Sequence, residues 1–135
     1  MRQVRVLNRT RERSLGERVG LADRYWSRLR GLLGRPEPGA GEGLLITPSS
    51  GVHMYGMKYA LDVLLLDSSG RVVALYPNLA PGKRTKVHRQ ARAALEVPVG
   101  VIDDTNTEEG DVVEWGVPEA AEEHVARSTL ILERG

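Results

Sequence analysis

The amino-acid sequence predicts a mainly β domain of the α+β class, in which a small, mostly antiparallel sheet curls into a partly open barrel beside one helix. Two observations support this prediction. At least seven short apolar segments alternate with turn-forming residues, whereas one segment, residues 24–33, shows clear helical periodicity. The length of 135 residues fits one domain and is short for two.

The first third of the chain predicts a hairpin followed by the helix. Apolar residues on either side of a polar turn predict a hairpin over residues 3–22. Asp23 stands in the N-cap position of the helical pattern, and Gly34 is a typical residue just beyond a helix end. We therefore expect the helix near residues 24–33, ahead of a loop rich in Gly and Pro.

From Gly43 onward the sequence predicts strands. GLLITP, GVHMYGMKY and ALDVLLLD are the first three, and the turn at Ser68–Gly70 joins the third to RVVALYP as a hairpin. The run Val63–Leu66 is apolar on both faces, which predicts an interior strand. After a long basic loop at residues 77–90, ARAALEVPVG and GDVVEW complete the sheet, and the polar segment between them has room for one helical turn.

The last segment, residues 117–135, predicts a short helix at Pro118 and then a strand at TLILE. A sheet edge is the most favourable partner for such a strand, because it offers unpaired backbone groups. We expect pairing either with residues 2–7 of the same chain or with a second copy, so the protein is a monomer or a homodimer.

Charge is unevenly distributed, although the formal net charge is only +1. Residues 1–35 hold ten Arg against three acidic residues, whereas residues 103–135 hold ten acidic residues against two Arg. The acidic end opposes the attraction of phosphates, and the basic loop after Tyr76 has no interleaved aromatic residue. We therefore do not expect nucleic acid as a partner.

Composition excludes several classes of function. The chain contains no Cys, which excludes disulfides and thiolate chemistry, and it has only three His, so we expect no metal site and no cofactor. No run of about 18 apolar residues is present, so we expect no membrane association. The N-terminus lacks the apolar run of a secretory signal, so we expect a cytoplasmic protein.

The most unusual stretch, residues 48–67, supplies the candidate ligand-binding residues His53, Tyr55, Met57 and Asp62. In an extended strand His53, Tyr55 and Met57 share one face and could line a pocket. In the alternative interpretation the aromatic rings pack with their hydroxyl groups at the rim, and His53 bonds a backbone carbonyl.

The same stretch also contains the residue types of a copper(I) site and of a hydrolytic triad. Imidazole and thioether groups at His53, Met54 and Met57 are typical copper(I) ligands, but a straight strand separates His53 from Met57 by about 13 Å. A Ser at position 49 or 50 with His53 and Asp62 would supply the residue types of a hydrolytic triad. No nucleophile-elbow motif accompanies them.

The basic loop offers a third binding chemistry. Its candidate anion-binding residues are Lys83, Arg84, Lys86 and Arg89. Guanidinium and ammonium groups gathered in one loop suit a phosphate or a carboxylated ligand. A solvated loop without a ligand is the alternative interpretation.

Four groups of residues resemble the family called domain of unknown function 192. They are RGLLGR at 30–35, GEGLL at 41–45, the blocks VH, GM, LDVL and LD between 52 and 67, and AALEVPVG at 93–100 with GD at 110–111. The resemblance implies a compact, single-domain, β-rich fold with a family-like core at about residues 24–116, and it implies no activity. Residues 3–22 are then an N-terminal hairpin and residues 117–135 a C-terminal extension of one domain, residues 1–135.

Asp62 needs partners, because a carboxylate between Leu61 and Val63 on an apolar strand is costly to bury alone. We expect these partners to be three backbone N–H groups or an Arg such as Arg30 or Arg35. Asp62 is therefore predicted to be structural.

The residues favour a non-catalytic binding or accessory module that recognises a small polar ligand or a protein partner near His53. The alternative function is a small hydrolase or metal-dependent enzyme that uses His53 and Asp62. A concave site in which the two side chains meet would favour the enzyme. Burial of both, with backbone groups as partners, would favour the binding module.

Overall fold

A computed structural model of the chain describes residues 2–22 and 35–116. In these ranges it contains seven strands and one short helix. They are β1 (Gln3–Asn8), β2 (Arg13–Ala22), β3 (Glu42–Ile46), β4 (Leu61–Leu66), β5 (Val72–Leu79), β6 (Ala93–Val97), α1 (Val101–Asp104) and β7 (Val113–Gly116). The mainly β prediction is confirmed, whereas the predicted helix at 24–33 and the extension at 117–135 lie outside the described residues.

The seven strands form one sheet in the order β5-β4-β6-β3-β2-β1-β7. Neighbouring strands are antiparallel except β2 and β3, which are parallel. The predicted hairpins β1–β2 and β4–β5 are confirmed. In the second, the carboxylate of Asp67 accepts hydrogen bonds from the backbone N–H groups of Ser69 and Arg71 at 2.9 and 3.0 Å, which fixes the turn.

The two ends of the sheet meet at one corner, so that the sheet curls into a half-barrel. An isolated bridge joins Arg71 to Val112, and the N–H group of Val113 donates to the carbonyl of Gly70 at 2.8 Å. Gly70 has a φ of 82°, and a Cβ atom there would overlap the Val113 carbonyl oxygen. Only glycine therefore allows β5 and β7 to approach this closely.

The core occupies both faces of the central strands. A cluster inside the half-barrel receives at least one buried side chain from every strand, among them Val6, Leu15 and Leu95. All six residues of β4 are buried, which confirms the prediction of an interior strand. Its outer face packs in two further apolar clusters, which include Met54 and Ala91 from the connecting segments.

The prediction of a strand at residues 51–59 is wrong. His53 forms one isolated bridge with Arg84, and the chain then turns at Tyr55 and Gly56, with the N–H group of Met57 donating to the Met54 carbonyl at 3.2 Å. Gly56 has a φ of 78°, which glycine adopts without strain and which ends the extended conformation.

The N-terminal strand has a neighbour on each side. β1 pairs with β2 along one edge and with β7 along the other, where Arg5–Asn8 face residues 113–116. This stretch of edge, which we expected to receive the C-terminal extension, is therefore already used by β7.

Candidate functional site

Two segments, residues 51–54 and 83–88, lie against each other on the outer side of the sheet. The N–H group of Met54 donates to the Lys83 carbonyl at 2.7 Å, and that of Thr85 donates to the Val52 carbonyl at 2.9 Å. A Cβ atom at Gly51 would lie 2.8 Å from the Thr85 hydroxyl oxygen, so the contact requires glycine. These bonds bring the two predicted candidate regions together, although more than 25 residues separate them.

An open cavity of about 600 Å³ lies between the two segments. Its lining comes from residues 50–53, Tyr55 and residues 84–87. The volume falls in the range of about 300–1,000 Å³ that is usual for small-molecule sites. Of the residues predicted from the sequence, it brings together His53, Tyr55, Arg84 and Lys86.

His53 and Tyr55 form one wall as a stacked pair. Their ring centroids are 4.7 Å apart and the planes differ by 26°. The backbone N–H group of Tyr55 donates to Nδ1 of His53 at 3.4 Å, so the neutral imidazole carries its proton on Nε2. Tyr55 remains 51% exposed.

Arg84 and Lys86 give the cavity its positive charge. Both residues are exposed, and none of the described residues that line the cavity carries a carboxylate. In the described part of the chain, the ion pairs are formed by Arg5, Arg9 and Arg11, all away from this loop. The two cations therefore attract an anion without competition from a neighbouring acid.

Hydrogen bonds to residues outside the loop hold the backbone of the basic loop in place. Tyr76 on β5 accepts a hydrogen bond from the N–H group of Lys86 at 3.2 Å, and its hydroxyl lies 2.7 Å from Nε2 of His88. The N–H group of His88 donates to the carbonyl of Ser50 at 2.9 Å. The loop is thus positioned by side chains that the cavity does not use.

Lys83 and Arg89, the other two predicted anion-binding residues, are exposed but do not line the cavity. The lining of this segment runs from Arg84 to Val87, so Lys83 lies just before it and Arg89 two positions beyond it. Whether they contact a ligand stays a prediction.

Met57 is directed elsewhere by the turn at Gly56. It packs with Tyr59 against an apolar cluster that contains Met54, which is only 1% exposed. The thioethers thus point into the core, on the other side of the chain from the exposed imidazole of His53. Among the described residues, no group of three His, Cys, Asp or Glu side chains is placed to hold a metal ion.

Asp62 is buried, with an exposed fraction of 1%, and its carboxylate is held by the backbone. One oxygen accepts a hydrogen bond from the N–H group of Asn78 at 2.8 Å. The other accepts from the N–H groups of Gly100 and Ile102 at 3.1 and 2.9 Å, at the start of α1. The expectation of three backbone donors is confirmed, so Asp62 ties β4 to β5 and α1.

The predicted triad residues do not form a hydrogen-bonded chain. The hydroxyl of Ser49 donates to the carbonyl of Gly51 at 2.8 Å, and within residues 2–22 and 35–116 Asp62 bonds only backbone groups. Asp62 lines a different cavity, of about 420 Å³, together with residues of α1 and the following loop. His53 is not part of that lining.

Glu96 on β6 is a buried acid that we did not select from the sequence. It is 6% exposed, and burial raises the pKa of its carboxyl group to about 7. Burial and, secondly, the charge of Glu96 raise the pKa of Tyr59. The signal was available, because an acid between Leu95 and Val97 on an apolar strand follows the same pattern as Asp62.

The architecture and site define a class of protein: a curled, mostly antiparallel half-barrel with a basic cavity outside its central strands. The family model of domain of unknown function 192, described as "Uncharacterized ACR", matches residues 6–115. The chain belongs to this family. The match includes most of the N-terminal hairpin, which we had placed ahead of the family-like core.

Relatives agree with this membership. Proteins called "UPF0127 protein" from Thermococcus sibiricus and Thermococcus gammatolerans are 35% and 32% identical over 84% and 89% of this chain, and the matches cover 76% and 80% of those relatives. A crystal structure of a protein of unknown function from Novosphingobium aromaticivorans shares 26% identity with a TM-score of 0.71, over 84% of each chain. Within residues 2–22 and 35–116, no helix is long and apolar enough to cross a membrane.

Proposed function

We propose that this protein is a non-catalytic binding module that recognises a small anionic ligand in the cavity beside His53. The observation that carries the proposal is the pairing of Arg84 and Lys86 in a lining without any carboxylate. Cations in a fold are usually paired or fully solvated, so two that converge on a concave site suit a phosphate or carboxylate ligand.

The architecture around the cavity supports binding rather than catalysis. The lining segments are held by backbone hydrogen bonds and by Tyr76, which preorganises the site. A triad would need His53 and Asp62 within reach of each other, but their side chains line different cavities. The catalytic alternative therefore receives less support.

A thermal-shift screen of small phosphorylated and carboxylated metabolites tests the proposal. A ligand present at about 100 times its dissociation constant adds about 2.7 kcal/mol to the free energy of unfolding, which is readily detected. The double variant Arg84→Ala with Lys86→Ala should lose the shift. The matched control Lys83→Ala with Arg89→Ala removes the same charge from the same loop outside the lining and should keep it.

Two results would count against the proposal. A screen in which no anionic compound raises the melting temperature would contradict it. Equal loss of the shift in both double variants would mean that general charge of the loop, rather than the cavity, attracts the ligand.

A further inference from the structure

The cavity wall contains the aromatic ring of Tyr55, which the binding of an inorganic anion would not require. Its ring forms a wall of the same cavity as Arg84 and Lys86, and it is half exposed although it stacks on His53. Val87, which is 76% exposed, adds a second apolar surface to the lining. Large apolar groups held in a cavity wall offer surface for the apolar part of a ligand.

The size of the cavity leads to the same conclusion. A volume of about 600 Å³ is several times the space of a phosphate or a carboxylate group, which Arg84 and Lys86 alone would hold. The Tyr55 ring is part of the wall that borders this space. An aromatic or heteroaromatic ring stacks on such a platform in an offset arrangement, and this contact is favourable for any planar π system.

We propose that the ligand is a small molecule that combines a planar ring with a phosphate or carboxylate group, the ring lying on Tyr55 and the anion on Arg84 and Lys86. This inference rests on the proposed function, to which it adds the ring. His53 supports it in two ways: it holds the Tyr55 ring by stacking, and its Nε2–H group is available as a donor to the ligand.

A single platform suits a small molecule better than a nucleic-acid strand. Strands bind to a series of aromatic residues that follow a basic groove, whereas this cavity holds one tyrosine ring beside His53.

Isothermal titration with two matched pairs of probes tests the ring. AMP is compared with ribose 5-phosphate, and phenylpyruvate with pyruvate, so that each pair shares its anion and differs in its ring. In at least one pair we expect the ring-bearing member to bind about tenfold tighter, equivalent to about 1.4 kcal/mol. The pair that shows the preference identifies the anion as phosphate or carboxylate.

Variants at Tyr55 assign the preference to the platform. Tyr55→Ala should remove the tenfold preference while leaving the affinity for the ring-free probe unchanged, and Tyr55→Phe should retain it because the stacking face remains. Because Tyr55 is exposed, neither substitution should alter the unfolding curve.

The outcomes separate the inference from the proposed function. Equal affinities within both pairs would overturn the ring while leaving anion binding in place. Absence of binding by all four probes would overturn the inference, and the metabolite screen would then decide whether any anion binds. Tighter binding of a single-stranded oligonucleotide than of AMP would also overturn it, since the ligand would then be a nucleic-acid strand.

Discussion

Charged groups are accommodated in opposite ways at Asp62 on β4 and at the cavity beside His53. At Asp62 each carboxylate oxygen is matched by backbone donors, and the residue is only 1% exposed. At the cavity Arg84 and Lys86 stand exposed without an acid in the lining. A charge satisfied within the fold stabilises the fold, whereas unmatched charges gathered in a concave site are available to a ligand.

The largest effect is expected at Asp62. Asp62→Ala would leave three N–H groups, of which that of Ile102 is buried, without their acceptor and should lower the free energy of unfolding by about 2–4 kcal/mol. Urea denaturation monitored by circular dichroism measures this change. Substitution of the exposed Asp103 by Ala is the control and should have little effect. An unchanged unfolding midpoint for Asp62→Ala would contradict the claim that Asp62 stabilises the fold.

Glu96 sharpens the comparison, because it is a buried carboxyl group without a matched set of donors among the described residues. Burial raises its pKa from 4.5 to about 7 in the folded state, so folding takes up a proton between about pH 4.5 and 7. Its contribution to stability is complete below about pH 4.5 and is lost as the pH rises through 7. The full difference is roughly 3 kcal/mol.

Glu96→Gln should therefore be more stable than the parent protein at pH 8, and the advantage should shrink as the pH falls toward 5. Paired urea titrations across this range measure the difference between the two proteins, which cancels the other titrating groups. The exposed Glu109→Gln is the matched control. A constant difference at all pH values would show that Glu96 is ionised in the folded protein.

A smaller effect is expected at Asn8, whose side chain is fully buried and fully bonded. Its amide donates to Thr107 and Asp111 at 3.0 Å each, and its oxygen accepts from the N–H group of Arg11 at 3.1 Å. Burial opposes ionisation of Asp111, but hydrogen bonds from Arg11 and Asn8 outweigh it and lower the pKa of that carboxyl group. Asn8→Ala should cost about 2 kcal/mol of stability by chemical denaturation, and an effect as small as that of the exposed Gln3→Ala would contradict this account.

The smallest effect on stability is expected at the cavity itself. Arg84→Ala with Lys86→Ala should change the free energy of unfolding by less than about 0.5 kcal/mol, since neither side chain has a partner among the described residues that the substitution would strand. A loss comparable to that of Asp62→Ala would mean that the two cations are structural. The distinction between the two regions would then disappear.

The sequence predicts the frame well because the frame depends on local patterns. The run Val63–Leu66 identifies an interior strand, and the same apolar context identifies Asp62 as a group that needs internal donors. The strand prediction for residues 51–59 fails because it assumes that side chains alternate through Gly56. The backbone turns there, and Met57 packs against an apolar cluster of the core. A period of two in side chains does not reveal a positive φ.

The site is only half predictable for a different reason. His53 and Tyr55, and likewise Arg84 and Lys86, lie two positions apart in the sequence, and each pair lines the cavity. What joins the two pairs is the bridge between His53 and Arg84, a contact across 31 positions that no local pattern encodes. Both pairs of residues were therefore predicted from the sequence, but the contact between them was not.

The most direct test of ligand binding at the cavity is a titration of the isotopically labelled protein, followed by the backbone amide resonances, with the strongest compound from the metabolite screen. We expect shifts concentrated at residues 50–55 and 84–87, and no such shifts in the Arg84→Ala, Lys86→Ala double variant. Shifts centred instead on residues 77–78 and 99–108, around Asp62, would place the ligand in the other cavity and contradict the account.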